Sequence, residues 1–244
     1  MKSYLLICVT YKSDEALQTF LSSVSEAASH VKDTLRVDVE VVDNSEHNLG
    51  YLGGALTVYN RLATQYDFVS ISNVDLQLRA DFFEQLLLIE DEGIGWLAPD
   101  IYTPEQQRHE NPYMLTRPTR YNFFIWDIIY SSVLIFKLYY LLHLIKGKVT
   151  KTYPPMTLYA GHGAFMLFTK HFVQAYPQVQ FPSFMYNEEI YLAELVREAG
   201  LSVYYAPTLR MDNIGGVSTG RISQKQKSEW NRQSLQMIKK KFFV

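Results

Sequence analysis

The first hundred residues repeat one pattern: an apolar run that ends in polar turn chemistry, then a segment with helical spacing. Tyr4–Thr10 is the first run, uncharged and apolar up to Val9, which predicts a buried strand. Ser13 followed by Asp14 and Glu15 predicts an N-cap with acids in the first helical turn. Ala16, Leu17, Phe20, Leu21 and Val24 then recur at helical spacing. Val37–Val42 predicts a second strand, and a helix is expected from Gly53-Gly54 to Gln65. Phe68–Ile71 predicts a third strand, Asp81–Glu90 a third helix and Ile94–Pro99 a fourth strand. This βαβαβαβ order implies an α/β chain with a mostly parallel central sheet and helices on both faces. Ligands of such sheets bind outside the carboxyl ends of the strands. Three polar clusters fall there: Thr10-Tyr11, Asp43-Asn44-Ser45 and Asn73-Val74-Asp75.

The second half departs from that rhythm. Asp100–Arg120 is polar, holds three prolines and reads as a long loop. Tyr121–Ile145 is apolar and aromatic, with Asp127 and Lys137 as its formal charges. Ala164–Phe168 and Ser202–Ala206 predict strands. Asn187–Ala199 predicts a helix closed by Gly200, and Ile222–Lys241 a final one. The expected organisation is one domain, 1–244. Its expected divisions are 1–100, 101–220 with the apolar segment 121–145, and 221–244 as a basic C-terminal helix. Cys8 is the sole cysteine, which excludes an internal disulfide and a cysteine-based zinc site. The opening apolar run is too short for a secretory signal. A composition of 48% hydrophobic and 20% charged residues excludes a disordered chain.

Several groups carry candidate chemistry, each with a structural alternative. Asp75, just past a buried strand, suits a divalent cation such as Mg²⁺ or Mn²⁺, which takes oxygen ligands and shares them with phosphates; it equally suits a turn or a helix cap. Asp43 either accepts from a nucleobase or ribose, or closes an Asx turn. The glycine-rich stretch Asn48–Gly54 resembles a phosphate cradle but matches neither the dinucleotide fingerprint nor the Walker pattern. Glu188-Glu189 either supplies a general base, since adjacent carboxylates raise each other's pKa, or is a pair of first-turn acids favoured by the helix dipole. His162, between two glycines, either meets a substrate or sits on a surface loop. Asp212-Asn213 either completes a metal or phosphate site or forms a turn.

Taken in order, these segments resemble the family-two glycosyltransferases of the GT-A fold. Leu6–Tyr11 is similar to that family's first strand, Val41–Ser45 to its nucleotide-binding segment, and Asn48–Gly54 to its Asn-Leu-Gly-x-x-Gly-Gly loop. Asn73-Val74-Asp75 stands where the family has its metal motif, Gly163–Leu167 resembles its Gly-Ala-x-Met-Leu strand, and Phe184–Ile190 its Phe-x-Tyr-x-Glu-Asp-Val segment. The bacterial rhamnosyl- and galactosyltransferases of polysaccharide biosynthesis are the nearest subgroup. The resemblance implies a nucleotide-sugar site at Thr10, Tyr11, Asp43, Asn48, Gly50, Gly54, Asn73 and Asp75. It also implies a divalent cation on Asp75 and Asn213, with acceptor contacts at His162 and Gly163. Glu189 falls on the catalytic-base position and Glu188 on the acid before it. The implied reaction is metal-dependent, inverting hexosyl transfer from a UDP- or dTDP-sugar to a saccharide or lipid-linked saccharide acceptor. Three positions depart from the pattern: Glu189 replaces the usual Asp, Tyr191 a second Asp, and Asn213 a common His. Two alternatives follow, a catalytically inactive nucleotide-sugar-binding scaffold subunit and a nucleotidyltransferase. The latter lacks the basic glycine loop it would need after strand one.

The net charge of −2 hides an asymmetry: residues 221–244 carry seven basic side chains and one acid, a net +6, which leaves −8 on the first 220. An acidic body argues against nucleic acid as a partner. A basic end beside the aromatic-rich segment 121–145 suggests peripheral membrane contact through 121–145 and 221–244, at the inner face of the cytoplasmic membrane. A homodimer interface, core packing and a true membrane span, in which the two mid-segment charges would be costly, are the other readings of 121–145.

Overall fold

A computed structural model describes residues 1–145, 153–215 and 223–243. Strand β1 (Lys2–Thr10) is the spine. It lies parallel to β2 (Leu35–Asp43) on one side and to β3 (Phe68–Asn73) on the other. Its apolar run is buried on both faces. Leu5, Ile7 and Val9 pack with Leu52, Ala55 and Tyr59 of α2 (Tyr51–Leu62), while Tyr4, Leu6 and Cys8 pack with Phe20 and Val24 of α1 (Asp14–Ser29). Alternate side chains of a strand point to opposite faces, so a continuous apolar run requires helices on both.

The remaining elements are β4 (Leu76–Leu78), α3 (Phe82–Leu87), β5 (Ile94–Thr103), β6 (Arg108–His109), α4 (Arg120–Ser131) and α5 (Val133–Ile145). They are followed by β7 (Met156–Leu158), β8 (Phe165–Thr169), α6 (Lys170–Ala175), α7 (Glu188–Glu198), β9 (Ser202–Asn213) and α8 (Gln224–Phe242). One sheet runs in the order β2-β1-β3-β8-β5-β9-β4, with β6 on β5 and β7 on β9. Strands β2, β1, β3, β5 and β9 point one way; β8 and β4 run against them. The α/β class and its helix-covered, mostly parallel sheet are as the sequence implies. The antiparallel β8, inserted between β3 and β5, is a feature that the strand-helix rhythm did not show.

Other boundaries moved for physical reasons. Helix α2 starts at Tyr51, so Gly53 and Gly54 lie inside it and not before it. The expected loop 100–120 begins as strand, because β5 continues to Thr103 and turns back as β6. Strand β9 runs on to Asn213, since β5 and β4 both offer it partners, so Asp212-Asn213 is strand and not turn. Segment 121–145 is two helices, bent by 114° where Ser132 adopts an extended backbone. No single helix among the described residues is long and apolar enough to cross a membrane; α4 with Val133–Tyr139 has the length and composition only as a bent pair. Asp127, costly in a span, pairs with Arg232 at 2.9 Å and accepts from Gln236 at 3.0 Å. The basic end is a packed helix: Leu235 and Ile238 of α8 are buried. Gly216 and Arg221 lie outside the described residues.

Candidate active site

The register of the three parallel strands sets Thr10 beside Asp43 and Val9 beside Asn73, so their polar ends meet at one edge of the sheet. A cavity of about 570 Å³ opens there. Of the residues singled out in the sequence, Thr10, Tyr11, Asn48, Asn73, Asp75, His162, Gly163, Glu188 and Glu189 line it. The backbone N–H of Asn73 donates to Ala164 O, which ties the end of β3 to the loop leading into β8.

Four expected residues lie outside the lining, each held by the chain itself. Asp43 is exposed and accepts from the Ser45 N–H at 2.8 Å; its hydrogen bonds with the Ser45 hydroxyl and N–H hold its carboxyl below the usual range. That is the Asx turn. Ser45 Oγ in turn accepts from the Lys12 N–H at 3.1 Å. Gly50 has φ 77°, and a Cβ there would overlap the Phe184 carbonyl; one on Gly54 would lie 2.9 Å from Asn44 Oδ1. These glycines admit neighbouring protein groups and form no open phosphate cradle. The buried Asn44 fills the space, donating to Gly50 O at 2.9 Å. Asn213 accepts from the Gly215 N–H at 3.1 Å, and its backbone pairs with Leu76, next to Asp75.

The carboxylates differ in setting. Asp75 Oδ1 is buried without a hydrogen-bond partner among the described residues, and burial pushes its carboxyl up despite the opposing influence of its own backbone and His162. Glu188 and Glu189 open α7 behind two left-handed residues, Tyr186 (φ 71°) and Asn187 (φ 63°). Glu188 is buried and accepts from the Tyr186 N–H at 2.9 Å; burial first, and then the charge of Glu189, push its carboxyl up. Glu189 lies against the Cα of Gly163, where any added Cβ would collide with its carboxylate. Tyr51 ties these groups together. Its hydroxyl donates to Gly163 O at 3.0 Å, and burial, then Glu188, Asp75 and Glu189, raise its pKa. His162 Nδ1 accepts from the Ala164 N–H at 3.2 Å, which leaves the ring proton on Nε2, and the ring meets Tyr113 edge-on at 5.2 Å.

Thr10 Oγ1, Asp75 Oδ1 and the Tyr186 hydroxyl are all buried and without a partner among the described residues, and all three residues line the cavity. Buried polar groups are normally satisfied, so this arrangement fits a polar ligand. Asp75 also fits a hard cation that favours oxygen ligands and would offset its buried charge. No three His, Cys, Asp or Glu side chains among the described residues gather as a ready metal cluster. A cation here would draw its other ligands from a bound molecule and water.

No protein-family model and no curated protein matches the chain. Solved structures do. The catalytic domain of Drosophila beta1,4galactosyltransferase 7, in complex with xylobiose, aligns at TM-score 0.52 and 12% identity over 94% of this chain and 80% of that one. GalNAc-T7 with UDP, GalNAc and Mn²⁺ aligns at 0.54 and 12%, over 93% of this chain and 47% of that one. A mannosyltransferase from Pyrobaculum calidifontis, in complex with GDP-Man and Mn²⁺, aligns at 0.52 and 12%, over 88% and 58%. The chain has the GT-A fold. At 12% identity the likeness is one of fold.

This GT-A chain builds its cavity partly from residues the sequence reading did not select. Lys12, the one Lys or Arg among the described residues of the lining, has a left-handed backbone (φ 53°). Phe184, Met185 and Tyr186 come from the loop before α7, and Trp230 from α8. The positive φ of Lys12 has no sequence signature. Trp230 was hidden because its helix is dominated by basic residues.

Proposed function

We propose that this chain is an inverting, family-two glycosyltransferase, moving a hexosyl group from a UDP- or dTDP-sugar to a saccharide or lipid-linked saccharide acceptor in cell-surface polysaccharide synthesis. One observation carries the reading: the unpartnered Asp75 oxygen and the Glu188–Glu189 pair share one cavity at the strand ends. The nucleotide- and sugar-bound states of GT-A neighbours support it.

In this reading the 244 residues act as one catalytic domain. The nucleotide lies over the ends of β1–β3, with Thr10, Tyr11, Asn48 and Asn73 as its contacts and Asp43 at the rim. The acceptor oxygen attacks the anomeric carbon from the face away from the diphosphate. As the new C–O bond forms, the bond to the diphosphate breaks and its electron pair leaves with the nucleoside diphosphate. Glu189 takes the acceptor's hydroxyl proton. Glu188, buried and holding its own proton, keeps a second charge off the pair. Gly163 gives Glu189 the room to lie where it does, and His162 faces the acceptor. Asp75 would hold Mn²⁺ or Mg²⁺, which when bound offsets the charge of the diphosphate.

Exposed apolar side chains on α4 (Tyr121, Phe124, Ile128) and α5 (Leu134, Ile135, Leu138, Leu141) support peripheral membrane contact. With the basic side chains of α8 they would hold the enzyme at the inner face of the cytoplasmic membrane.

The test is a melting-temperature panel of nucleoside diphosphates and nucleotide sugars, with and without Mn²⁺. A Mn²⁺-dependent rise with one class of nucleotide is expected, lost in Asp75→Ala. No shift with any would sink the reading, and the nucleotide-sugar-binding scaffold with it; a shift without turnover would favour the inactive scaffold. Glu189→Gln should keep nucleotide binding and lower turnover by about 10²–10⁴-fold; near wild-type turnover would show that the base is elsewhere.

A further inference from the structure

Helix α8 brings a large aromatic side chain to the cavity from the far end of the chain. Trp230 is half-buried and lines the cavity. Its ring centroid lies 4.7 Å from that of Phe184 and 6.5 Å from that of Tyr186. The Tyr186 hydroxyl is buried and has no hydrogen-bond partner among the described residues. A pyranose has an apolar C–H face and a rim of hydroxyls. Stacking on an indole satisfies the face, and a nearby phenol satisfies one hydroxyl of the rim.

The surroundings hold both groups in place. Ser234 Oγ of α8 donates to Tyr186 O at 2.6 Å, and Asn187 Nδ2 donates to Asn231 Oδ1 at 3.4 Å. Tyr186 and Asn187 both have positive φ, a strained backbone for a residue with a side chain, which persists where packing enforces it. Helix α8 packs on α4, α5 and α7, and the Glu188–Glu189 pair opens α7. Trp230 therefore lines the same cavity as the carboxylate pair, from a helix that packs against α4, α5 and α7.

We infer that Trp230 and the Tyr186 hydroxyl form the platform that binds the acceptor saccharide, with Trp230 as its specificity-determining residue. This rests on the glycosyltransferase reading above.

The experiment uses the full chain and a probe set of methyl and p-nitrophenyl pyranosides (galactoside, mannoside, xyloside and N-acetylglucosaminide). Tryptophan fluorescence is titrated with each methyl glycoside, and transfer to each nitrophenyl glycoside is measured with the nucleotide sugar that shifts the melting temperature most. At least one glycoside should quench the wild type, and Trp230→Phe should abolish the quench. Trp230→Ala should raise the KM for that acceptor by about tenfold, the scale of one lost stacking contact, and leave the donor KM within about twofold. Tyr186→Phe should raise the acceptor KM in the same direction without moving the melting temperature. A quench that persists in Trp230→Phe, a donor KM that moves with the acceptor KM, or no quench by any glycoside would overturn the platform. If those failures occur while nucleotide still raises the melting temperature, the glycosyltransferase reading stands without the platform. If no nucleotide shifts the wild type, that reading itself has failed.

Discussion

Two residues set the electrostatics of the site. Glu188 is a buried acid whose folded pKa lies above its unfolded one. Between those two values the folded chain holds a proton that the unfolded chain has released, so stability falls as pH rises through that window. Glu188→Gln keeps the shape of the protonated acid and removes this loss. It should melt above wild type at pH 8, by roughly 1 kcal/mol or more of stability, and converge with it at pH 4. A difference independent of pH would refute the assignment. Gly163 is the second. Gly163→Ala forces the Glu189 carboxylate to move. Turnover should drop by about tenfold to a hundredfold while the melting temperature changes little, as misplaced catalytic groups do; assaying both on one preparation checks it. The sequence exposed the polar residues of this site because each follows the end of an apolar run, as Thr10, Asn73 and Asp75 do. It hid Asn44 behind Asp43, because an Asx turn and a nucleotide contact share one signature. Burial alone separates them: Asn44 faces inward and Asp43 faces water.

At the level of elements, α7 is fastened to the rest by a buried carboxylate. Glu194 is fully buried, takes a two-point bond from Arg117 (2.8 and 2.9 Å), and accepts from Tyr159 OH at 2.8 Å and Arg197 Nε at 3.1 Å. Arg117 also donates to Phe242 O at the end of α8. Glu194→Ala would strand these donors and should cost about 3–5 kcal/mol, measurable by urea unfolding. Loss of less than about 1 kcal/mol would show the network to be dispensable. Helix periodicity revealed α1, whose apolar residues recur at helical spacing, whereas α7, buried all round from Ile190 to Val196, was marked by Gly200 at its end. Periodicity failed on 121–145, where two helices meet at 114° and each has its own stripe. Strands β4, β6 and β7 are two or three residues long and owe their shape to partners distant in sequence, so no local pattern announces them.

Across the whole molecule, the acidic body and the basic end are not separate parts. Arg232 pairs with Asp127, and Lys241 donates to the Tyr191 hydroxyl at 2.8 Å. Lys239 and Lys240 stay exposed. If the α4–α5 surface meets lipid with help from these charges, the chain should float with anionic vesicles at low salt and release as salt rises. Leu134→Asp with Leu138→Asp should abolish flotation and leave nucleotide binding intact. No flotation of the wild type at low salt would end the membrane reading. The α/β architecture was legible because β1 alternates its side chains between two buried faces. The interleaving of the sheet was not, since β8 comes from residues 165–169 yet lies between β3 and β5. That interleaving bears on synthesis. When residue 103 leaves the ribosome, β1, β2, β3 and β5 all exist as sequence, but β3 and β5 still lack the strand that joins them. Both keep open edges until Thr169 has emerged, more than sixty residues later. A nascent chain in that state presents unpaired strand edges to its neighbours, the state in which wrong pairing and aggregation compete with folding.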